Sequence, residues 1–223
     1  MVGVDWEAKS VKGVDRFLEA DVSDAEAWSR IVETVRQEQG RLDALVNNAA
    51  VQICKPIVEM TVEEWDRTLN TNLRATFLAV RGLHDLLRGG AIVNVSSVHA
   101  KATSADIGAY AASKGGMLAF TRSLAIELAD DDIRVNAVLP GAVDTQMLRD
   151  GLGRGHAEGA SIQERVDALG DRHVGGRVGQ PSEIAQAILF LADGKRSSFV
   201  TGEALTVDGG ATARLSTELG EQC

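Results

Sequence analysis

The sequence has too few cysteines for a disulfide-rich protein or a zinc protein. Two of its 223 residues are cysteines, Cys54 and the terminal Cys223. Two cysteines cannot form a disulfide framework, and their spacing fits no metal motif. We therefore expect no metal site, and we expect the protein to work in the reducing environment of the cytoplasm.

Basic residues and long apolar runs are also scarce. The chain has 23 Lys and Arg against 32 Asp and Glu, a formal net charge of -9, whereas a nucleic-acid surface needs clustered positive charge. No apolar run approaches the roughly 18 residues of a membrane span, and the first residues lack the basic and apolar regions of a signal peptide. We expect neither a nucleic-acid partner nor a membrane partner.

What is present is a regular alternation of short apolar strands and amphipathic helices. The predicted strands cover residues 2–5, 16–20, 42–46, 91–95, 133–139 and 204–207. Predicted helices open at the capping residues Ser23, Thr61 and Ser182, and a further helix covers residues 108–129. Short, almost wholly apolar strands between helices are typical of a parallel sheet covered on both faces, so we expect one α/β domain over residues 1–223.

The stretch 146–180 is the least regular part of the chain and contains eight glycines. That number disfavours a rigid helix pair, and loops of this size inside a compact domain are usually lids or substrate loops. We expect a substrate lid at about residues 146–180. Within it, GLGRG is not predicted to bind phosphate, because the required third glycine is missing and no strand runs into it.

Tyr110 and Lys114 are the strongest candidates for chemistry. They are four residues apart on a predicted helix, so their side chains leave the same face. A phenol has a pKa of about 10, and a neighbouring ammonium favours its ionised form. Ser97 follows the strand at 91–95, at the carboxyl edge where open parallel sheets bind ligands. Tyr110 is therefore a candidate proton shuttle with Ser97 beside it.

Further motifs occur in a fixed order. NNAA (47–50) follows one strand, TNL (71–73) lies in a long helix, PGAVDT (140–145) follows a later strand and VTGEALTVDGG (200–210) closes the fold. In this order, they resemble the classical short-chain dehydrogenase/reductase family over essentially the whole chain. The resemblance implies a Rossmann-type, doubly wound parallel sheet, a nicotinamide cofactor, and hydride transfer between that cofactor and an alcohol or carbonyl carbon.

The resemblance also implies a catalytic tetrad of Asn72, Ser97, Tyr110 and Lys114. Ser97 would hydrogen-bond the reacting oxygen, and Tyr110 would exchange a proton with it. Lys114 would bind the nicotinamide ribose and lower the pKa of the tyrosine, while Asn72 would hold a water of the proton relay. His99, two residues after Ser97, is a candidate substrate contact together with Ser97 and Tyr110.

Cofactor contacts can be carried over from the family in the same way. They are Asp5, Asp21, Val22, Asn47, Ala49, Tyr110, Lys114, Pro140, Gly141, Val143 and Thr145. Asp5 ends the first predicted strand, where a carboxylate accepts hydrogen bonds from the adenosine ribose and repels a 2'-phosphate. We therefore expect NAD rather than NADP.

The family's first strand, glycine-rich turn and first helix have no counterpart before Val2. The turn would supply the main phosphate site. The strand would lie between those at 2–5 and 42–46, so we expect a gap in the sheet. Either an upstream segment of roughly 30 residues belongs to the working enzyme, which the cost of unpaired strand groups favours, or the truncation is real and the product is a non-catalytic binding or structural protein.

The resemblance implies that the substrate is a small alcohol or carbonyl compound. SSVHAK and YAASKGGM resemble the corresponding stretches of glucose 1-dehydrogenases, so a sugar or polyol is the first substrate to consider. The alternative in the same class is an NADPH-dependent ketone or 3-oxoacyl reductase. Family members usually form dimers and tetramers through helices corresponding to 62–88 and 108–129, which implies a homodimer or homotetramer here.

Overall fold

Strands and helices alternate along the chain as the sequence predicts. A computed structural model describes residues 1–7, 13–153 and 161–213. The strands are β1 (Val2–Asp5), β2 (Arg16–Glu19), β3 (Ala44–Asn47), β4 (Ala91–Val95), β5 (Arg134–Pro140) and β6 (Ala204–Val207). The α-helices are α1 (Ala25–Gln39), α2 (Val62–Leu69), α3 (Ala75–Leu83), α4 (Gly108–Glu127), α5 (Gln146–Gly153), α6 (Ile162–Gly170) and α7 (Pro181–Ala192). A π-helical turn, Asn70–Arg74, joins α2 to α3.

The strands form two parallel sheets rather than one. β1 pairs with β2, and the second sheet has the order β3-β4-β5-β6. In the second sheet Val46 lies beside Val93, and Asn47 lies beside Asn94. Within the described residues no strand pairing joins β1 to β3. The fold is therefore the expected α/β Rossmann type, and its sheet is interrupted where the gap was predicted.

The core lies on both faces of β4 and β5. All five residues of β4 are buried. On one face, Ile92 and Val135 pack in a cluster with side chains of α1, α3 and α4. On the other face, Val93 and Val138 pack against α7. Because successive residues of a strand point to opposite faces, a strand covered on both faces needs the nearly continuous apolar run that β4 has.

Two predicted helix starts are wrong by one or two residues. Asp24, rather than Ser23, caps α1, since its carboxylate accepts a hydrogen bond from the backbone N–H of Glu26. Ser23 instead belongs to the preceding turn, where its N–H donates to Asp21 at 2.8 Å. The helix assigned to Ser182 begins at Pro181, because proline suits a first helical position whose N–H has no partner in the helix.

The glycine-rich stretch contains two helices, so the prediction against a helix pair is wrong in its described part. α5 begins after Thr145, whose hydroxyl accepts a hydrogen bond from a backbone N–H of the first turn at 3.3 Å. α6 opens with a complete capping box between Ser161 and Glu164. Such caps offset the poor helix propensity of residues such as Gly151. Residues 154–160, which include the end of GLGRG, lie outside the described residues.

Three further features bear on the sequence predictions. No helix in the described ranges is long and apolar enough to cross a membrane. Across the same ranges, no group of three or more His, Cys, Asp or Glu side chains could hold a metal ion. Cys54 is a half-buried free thiol, and Cys223 lies outside the described residues.

Candidate active site

The predicted catalytic residues come from the end of β4 and the first turns of α4. Ser97 follows β4 by two residues, and Tyr110 and Lys114 lie about one turn apart in α4. Ser97 and Tyr110 are only 6% and 8% exposed, and the side chain of Ser97 is close enough to the phenol of Tyr110 to favour its ionised form. The structure therefore brings the predicted serine and tyrosine together at the carboxyl edge of the sheet.

Lys114 is a buried cation beside the tyrosine ring. The residue is 2% exposed, and its Nζ lies 5.6 Å from the centroid of the Tyr110 ring. Nζ donates one hydrogen bond, to the carbonyl oxygen of Val95 at 2.7 Å. Burial lowers the pKa of Lys114 from 10.5 to about 8. An ammonium has three donors, so this one can still donate to a ligand.

Burial has the larger effect on the ionisation of Tyr110. Desolvation raises the pKa of its phenol above 10.0, and the side chain of Ser97 opposes that rise. The lowering of this pKa that the resemblance implies for Lys114 stays a prediction, and in this structure Nζ donates to the carbonyl of Val95. Tyr110 is consequently a protonated phenol at neutral pH.

Asn72 supports the tyrosine from the π-helical turn, an element frequent at functional sites. Its side chain accepts from the N–H of Val51 at 2.8 Å. It donates to the carbonyl of Val51 and to Oγ of Ser113, both at 3.0 Å. Ser113 then donates to the carbonyl of Tyr110 at 2.7 Å. Both side-chain N–H donors of Asn72 are therefore used, one to hold α4 through Ser113 and the other to hold the segment after β3 at Val51.

His99 contacts the tyrosine from the segment after β4. The two rings meet edge to face, with centroids 6.0 Å apart, and the backbone N–H of His99 donates to Oγ of Ser97 at 3.2 Å. Its Nδ1 is buried and has no hydrogen-bond partner among the described residues. Burial lowers the pKa of His99 below 6.5, so the imidazole is neutral at pH 7. The structure thus places His99 with Ser97 and Tyr110.

The predicted cofactor contacts follow the carboxyl ends of the strands. Asp5, Asn47 and Pro140 end β1, β3 and β5. The others lie a few residues beyond strand ends: Asp21, Val22, Ala49, Gly141, Val143 and Thr145. Asn47 also donates to Asn94 of the neighbouring strand at 2.8 Å. The interruption of the sheet separates the contacts after β1 and β2 from the rest.

Gly141 has a packing role as well as its predicted role. A Cβ at this position would lie 2.8 Å from Cα of Asp208, a distance that no real side chain tolerates. Glycine therefore lets the segment after β5 approach the segment after β6. Any larger residue would displace the backbone that carries the remaining predicted contacts.

Three polar residues of the site were not predicted from the sequence: Asn94, Ser96 and Ser113. Oγ of Ser96 donates to the carbonyl of Lys114 at 2.9 Å, and Asn94 donates to Oγ1 of Thr121 at 2.9 Å. They interrupt the otherwise apolar stretches AIVNVSS and YAASK. Because a buried polar group needs a hydrogen-bond partner, that interruption was a usable signal of a polar network.

Comparison with known proteins identifies the family. A family model described as enoyl-(acyl carrier protein) reductase matches residues 4–212. Cyclopentanol dehydrogenase from Comamonas sp. (strain NCIMB 9872) is 40% identical over 204 residues, which cover 90% of this chain and 78% of the relative. The chain belongs to the short-chain dehydrogenase/reductase family. The resemblance read from the motifs is confirmed, and the chain is an NAD(P)-dependent oxidoreductase.

Other relatives of this short-chain dehydrogenase/reductase differ in substrate. The 3-oxoacyl-(acyl-carrier-protein) reductase of Thermotoga maritima is 40% identical over 208 residues, 92% of this chain and 80% of the relative. The NADP-dependent (R)-specific alcohol dehydrogenase of Lentilactobacillus kefiri is 34% identical over 215 residues, 93% and 81% of the two chains. The ligand-free structure of Thermoplasma acidophilum aldohexose dehydrogenase superposes with a TM-score of 0.91 at 29% identity, covering 99% of this chain and 87% of that chain.

Proposed function

We propose that the chain oxidises a secondary alcohol, or reduces the corresponding ketone, with NAD(H) through Asn72, Ser97, Tyr110 and Lys114. The observation that carries this proposal is the burial of Ser97 and Tyr110, 6% and 8% exposed, with the ammonium of Lys114 5.6 Å from the centroid of the tyrosine ring. A substrate oxygen set against both hydroxyls would be polarised by one of them and exchange its proton with the other.

The residues have separate tasks in this mechanism. Ser97 hydrogen-bonds the substrate oxygen and stabilises its developing negative charge. Tyr110 gives its proton to that oxygen in ketone reduction and takes the proton back in alcohol oxidation. Because burial raises the pKa of Tyr110, oxidation, which needs the phenolate, is favoured by high pH. Asn72 holds Tyr110 through Ser113, so a relay water at Asn72 would use its backbone or the second lone pair of Oδ1.

The residues fit a nicotinamide cofactor at its ribose end. When bound, NAD(H) accepts or supplies the hydride. One of the three N–H donors of Lys114 bonds to the carbonyl of Val95. The other two are left to bond to a pair of ribose hydroxyls. At the other end of the cofactor, Asp5 accepts from the N–H of Glu7 at 3.3 Å and would repel a 2'-phosphate. This supports NAD over NADP. For the phosphates, the described residues offer no glycine-rich turn that joins a strand to a helix.

A sugar or polyol is the proposed substrate, with His99 as a neutral contact beside Ser97 and Tyr110. The resemblance of SSVHAK and YAASKGGM to glucose 1-dehydrogenases supports this choice, and 146–180 is proposed to cover the substrate. An NADPH-dependent ketone or 3-oxoacyl reductase is the second candidate, favoured by the names of the Thermotoga and Lentilactobacillus relatives. A non-catalytic binding or structural protein, the other alternative considered from the sequence, is opposed by the family match over residues 4–212.

We also propose that the protein is a cytoplasmic homodimer or homotetramer. An apolar groove of about 410 Å³ runs between the helix α2–α3 and α4. It is lined by Leu69, Asn70, Leu73, Arg74, Phe77, Gly116 and Phe120. Phe77 is 45% exposed there, and a second copy of the chain would cover it.

The proposed function is tested by assaying the chain with NADH and NADPH against sugars, polyols, hydroxysteroids and ketones. Tyr110→Phe removes one oxygen atom and should lower kcat at least about 100-fold, with a much smaller effect on NADH affinity. Ser97→Ala should also reduce kcat, whereas the matched Ser123→Ala, on the exposed side of α4, should not. Full activity of Tyr110→Phe would falsify the mechanism.

Two further outcomes separate the alternatives. Asp5→Asn should weaken the preference for NADH over NADPH. An unchanged preference for NADPH in this variant would support the reductase alternative. Failure of the unmodified chain to bind either nucleotide in a direct titration would contradict the proposed function.

A further inference from the structure

The two ends of the proposed NAD(H) site follow strands of different sheets. Asp21 and Val22, the proposed adenine contacts, lie in the turn 21–24 after β2, which we call the adenine turn. Tyr110 belongs to α4, which packs against β5 of the other sheet. Among the described residues the two sheets are not joined by strand pairing. We infer that Arg74 is a positioning residue that fixes the adenine turn relative to the catalytic residues, an inference that rests on the proposed binding of NAD(H).

Arg74 reaches the adenine turn from the π-helical turn that joins α2 to α3. Its Nη1 donates a hydrogen bond to the carbonyl oxygen of Ser23 at 3.1 Å. The bond is therefore made to the backbone of the adenine turn, one residue after the proposed contact Val22. Because a guanidinium is a charged donor, this hydrogen bond is stronger than one from a neutral group.

The other recorded hydrogen bonds of the adenine turn are local in the chain. The carboxylate of Asp21 accepts from the N–H of Ser23 at 2.8 Å. The carbonyl of Val22 accepts from the indole N–H of Trp28, near the start of α1, at 2.8 Å. In the described part of the chain, Arg74 is the only recorded donor to this turn that is distant in the sequence. Its hydrogen bond thus connects a turn that is otherwise bonded to its own helix.

Two residues earlier in the same π-helical turn, Asn72 holds the catalytic end. Asn72 donates to Oγ of Ser113 at 3.0 Å, and Ser113 donates to the carbonyl of Tyr110 at 2.7 Å. Side chains two residues apart in a helix leave on nearly opposite sides, and accordingly Asn72 is buried whereas Arg74 is exposed. One short element therefore contacts both the adenine turn and the turn of α4 that carries Tyr110.

The contact of Arg74 bears on cofactor binding rather than on hydride transfer. A turn that is already ordered binds its ligand without a further entropic cost. Without Arg74, the adenine turn would have to be ordered by the bound cofactor, so the affinity for the adenosine half would fall. Tyr110 keeps its own support from Asn72 and Ser113, so the chemical step would be affected little.

Arg36 offers a matched comparison, because it holds the same helix, α1, at its other end. Its guanidinium bonds to both carboxylate oxygens of Asp85, just after α3, at 2.7 and 3.2 Å. α1 has 15 residues and is therefore about 22 Å long, so this ion pair lies far from the adenine turn. Loss of Arg36 should loosen α1 against α3, whereas loss of Arg74 should release the adenine turn itself.

The first test uses the chain without cofactor. Hydrogen exchange of the Trp28 indole N–H and of the Asp24 amide, which donates to the carbonyl of Asp21 at 3.1 Å, is measured by NMR. Arg74→Met should speed exchange at both positions at least about fivefold, and Arg36→Met should leave it within about twofold of the wild type. Wild-type exchange in Arg74→Met, or the same acceleration in Arg36→Met, overturns the proposal.

The second test compares NADH with reduced nicotinamide mononucleotide, which lacks the adenosine half. Arg74→Met should raise the Kd of NADH about fivefold and leave kcat/KM for the mononucleotide unchanged. Arg74→Lys retains a charged donor and should recover most of the affinity for NADH. Equal weakening of both nucleotides, or no weakening of NADH, overturns the proposal.

Two controls separate this result from other causes. Arg74 also lines the groove proposed as the oligomer interface, so Phe77→Arg is titrated with NADH in parallel. The same loss of NADH affinity in Phe77→Arg would assign the effect to assembly and overturn the proposal. If the unmodified chain binds neither nucleotide, the proposed function fails, and the exchange rates of Arg74→Met still decide whether Arg74 holds the adenine turn.

Discussion

Lys114 keeps a positive charge where water has little access. The structure offsets this with a single hydrogen bond, to Val95, and burial lowers the pKa of Lys114 to about 8. A group whose pKa falls on folding destabilises the folded state wherever it must be protonated. The residue therefore opposes folding at neutral pH, and its presence is explained by the site rather than by stability.

Lys114→Met removes the buried charge. We therefore expect the difference in free energy of unfolding between the wild type and this variant to depend on pH. Below pH 8, Lys114 is charged in both states and the folded wild type carries the full cost of burial. That cost disappears as pH rises from about 8 to 10.5, because the folded-state ammonium loses its proton first. At about 1.4 kcal/mol per pKa unit, the wild type should gain about 2 to 3 kcal/mol relative to the variant between pH 7 and pH 10.

The measurement is urea unfolding of both proteins at several pH values without cofactor. The other lysines and the single tyrosine, Tyr110, are present in both proteins, so their contributions cancel in the difference. A difference in free energy of unfolding that stays constant with pH would show that Lys114 is not a desolvated ammonium in the folded chain. Tyr110 titrates higher, since burial raises its pKa, and the same comparison with Tyr110→Phe separates its contribution.

At the scale of elements, the helix between Thr61 and Arg88 shows what the sequence could and could not predict. The capping box of Thr61 and Glu64 was readable from two residues and is confirmed. The π-helical turn at Asn70–Arg74 was not, because it depends on hydrogen bonds from Asn72 to Val51 and Ser113. These partners are distant in the chain, and no local periodicity reports them.

Arg134 fixes the end of another element, α7. Its Nη1 donates to the carbonyl of Leu191 at 2.9 Å and to the carbonyl and hydroxyl of Ser197 at 3.0 and 2.9 Å. Nη2 donates to the carbonyl of Ala192 at 3.3 Å. These acceptors include the last carbonyls of α7, which have no partner within the helix. One guanidinium thus joins β5 to the end of α7.

Arg134→Met should therefore lower the free energy of unfolding by about 1 to 3 kcal/mol. It removes the donor to the carbonyl of Ala192, whereas the carbonyls of Leu191 and Ser197 keep a second donor. The matched control is Arg196→Met, which removes the exposed ion pair with Asp193 and should cost less than about 1 kcal/mol. Urea unfolding midpoints of the two variants provide the comparison. Similar losses in both would mean that the contacts of Arg134 are no stronger than a surface ion pair.

At the scale of the whole molecule, the order of the helices and strands could be predicted from the sequence, and so could the sheet edge at which the site lies. The way these elements pack together could not. Apolar strands such as β4 are formed by residues that are neighbours in the chain, and so is the spacing of Tyr110 and Lys114. Such local patterns can be recognised in a sequence. The two helices at 146–180 escaped prediction because caps at Ser161 and Thr145 outweigh glycine content. The polar network around Ser113 joins three separate elements, and a sequence read one segment at a time does not reveal it.

One substitution, Phe77→Arg, tests whether the protein forms the proposed oligomer. Phe77 lies in the groove between the helix α2–α3 and α4, half in water, and the proposed oligomer would bury it. Phe77→Arg places a charge in that interface, where it cannot be paired without rearrangement, so the variant should sediment as a monomer. Ile126→Arg is the control, since Ile126 is 78% exposed on α4 but does not line the groove. A monomeric wild type, or loss of the oligomer in both variants, would exclude this groove as the specific interface.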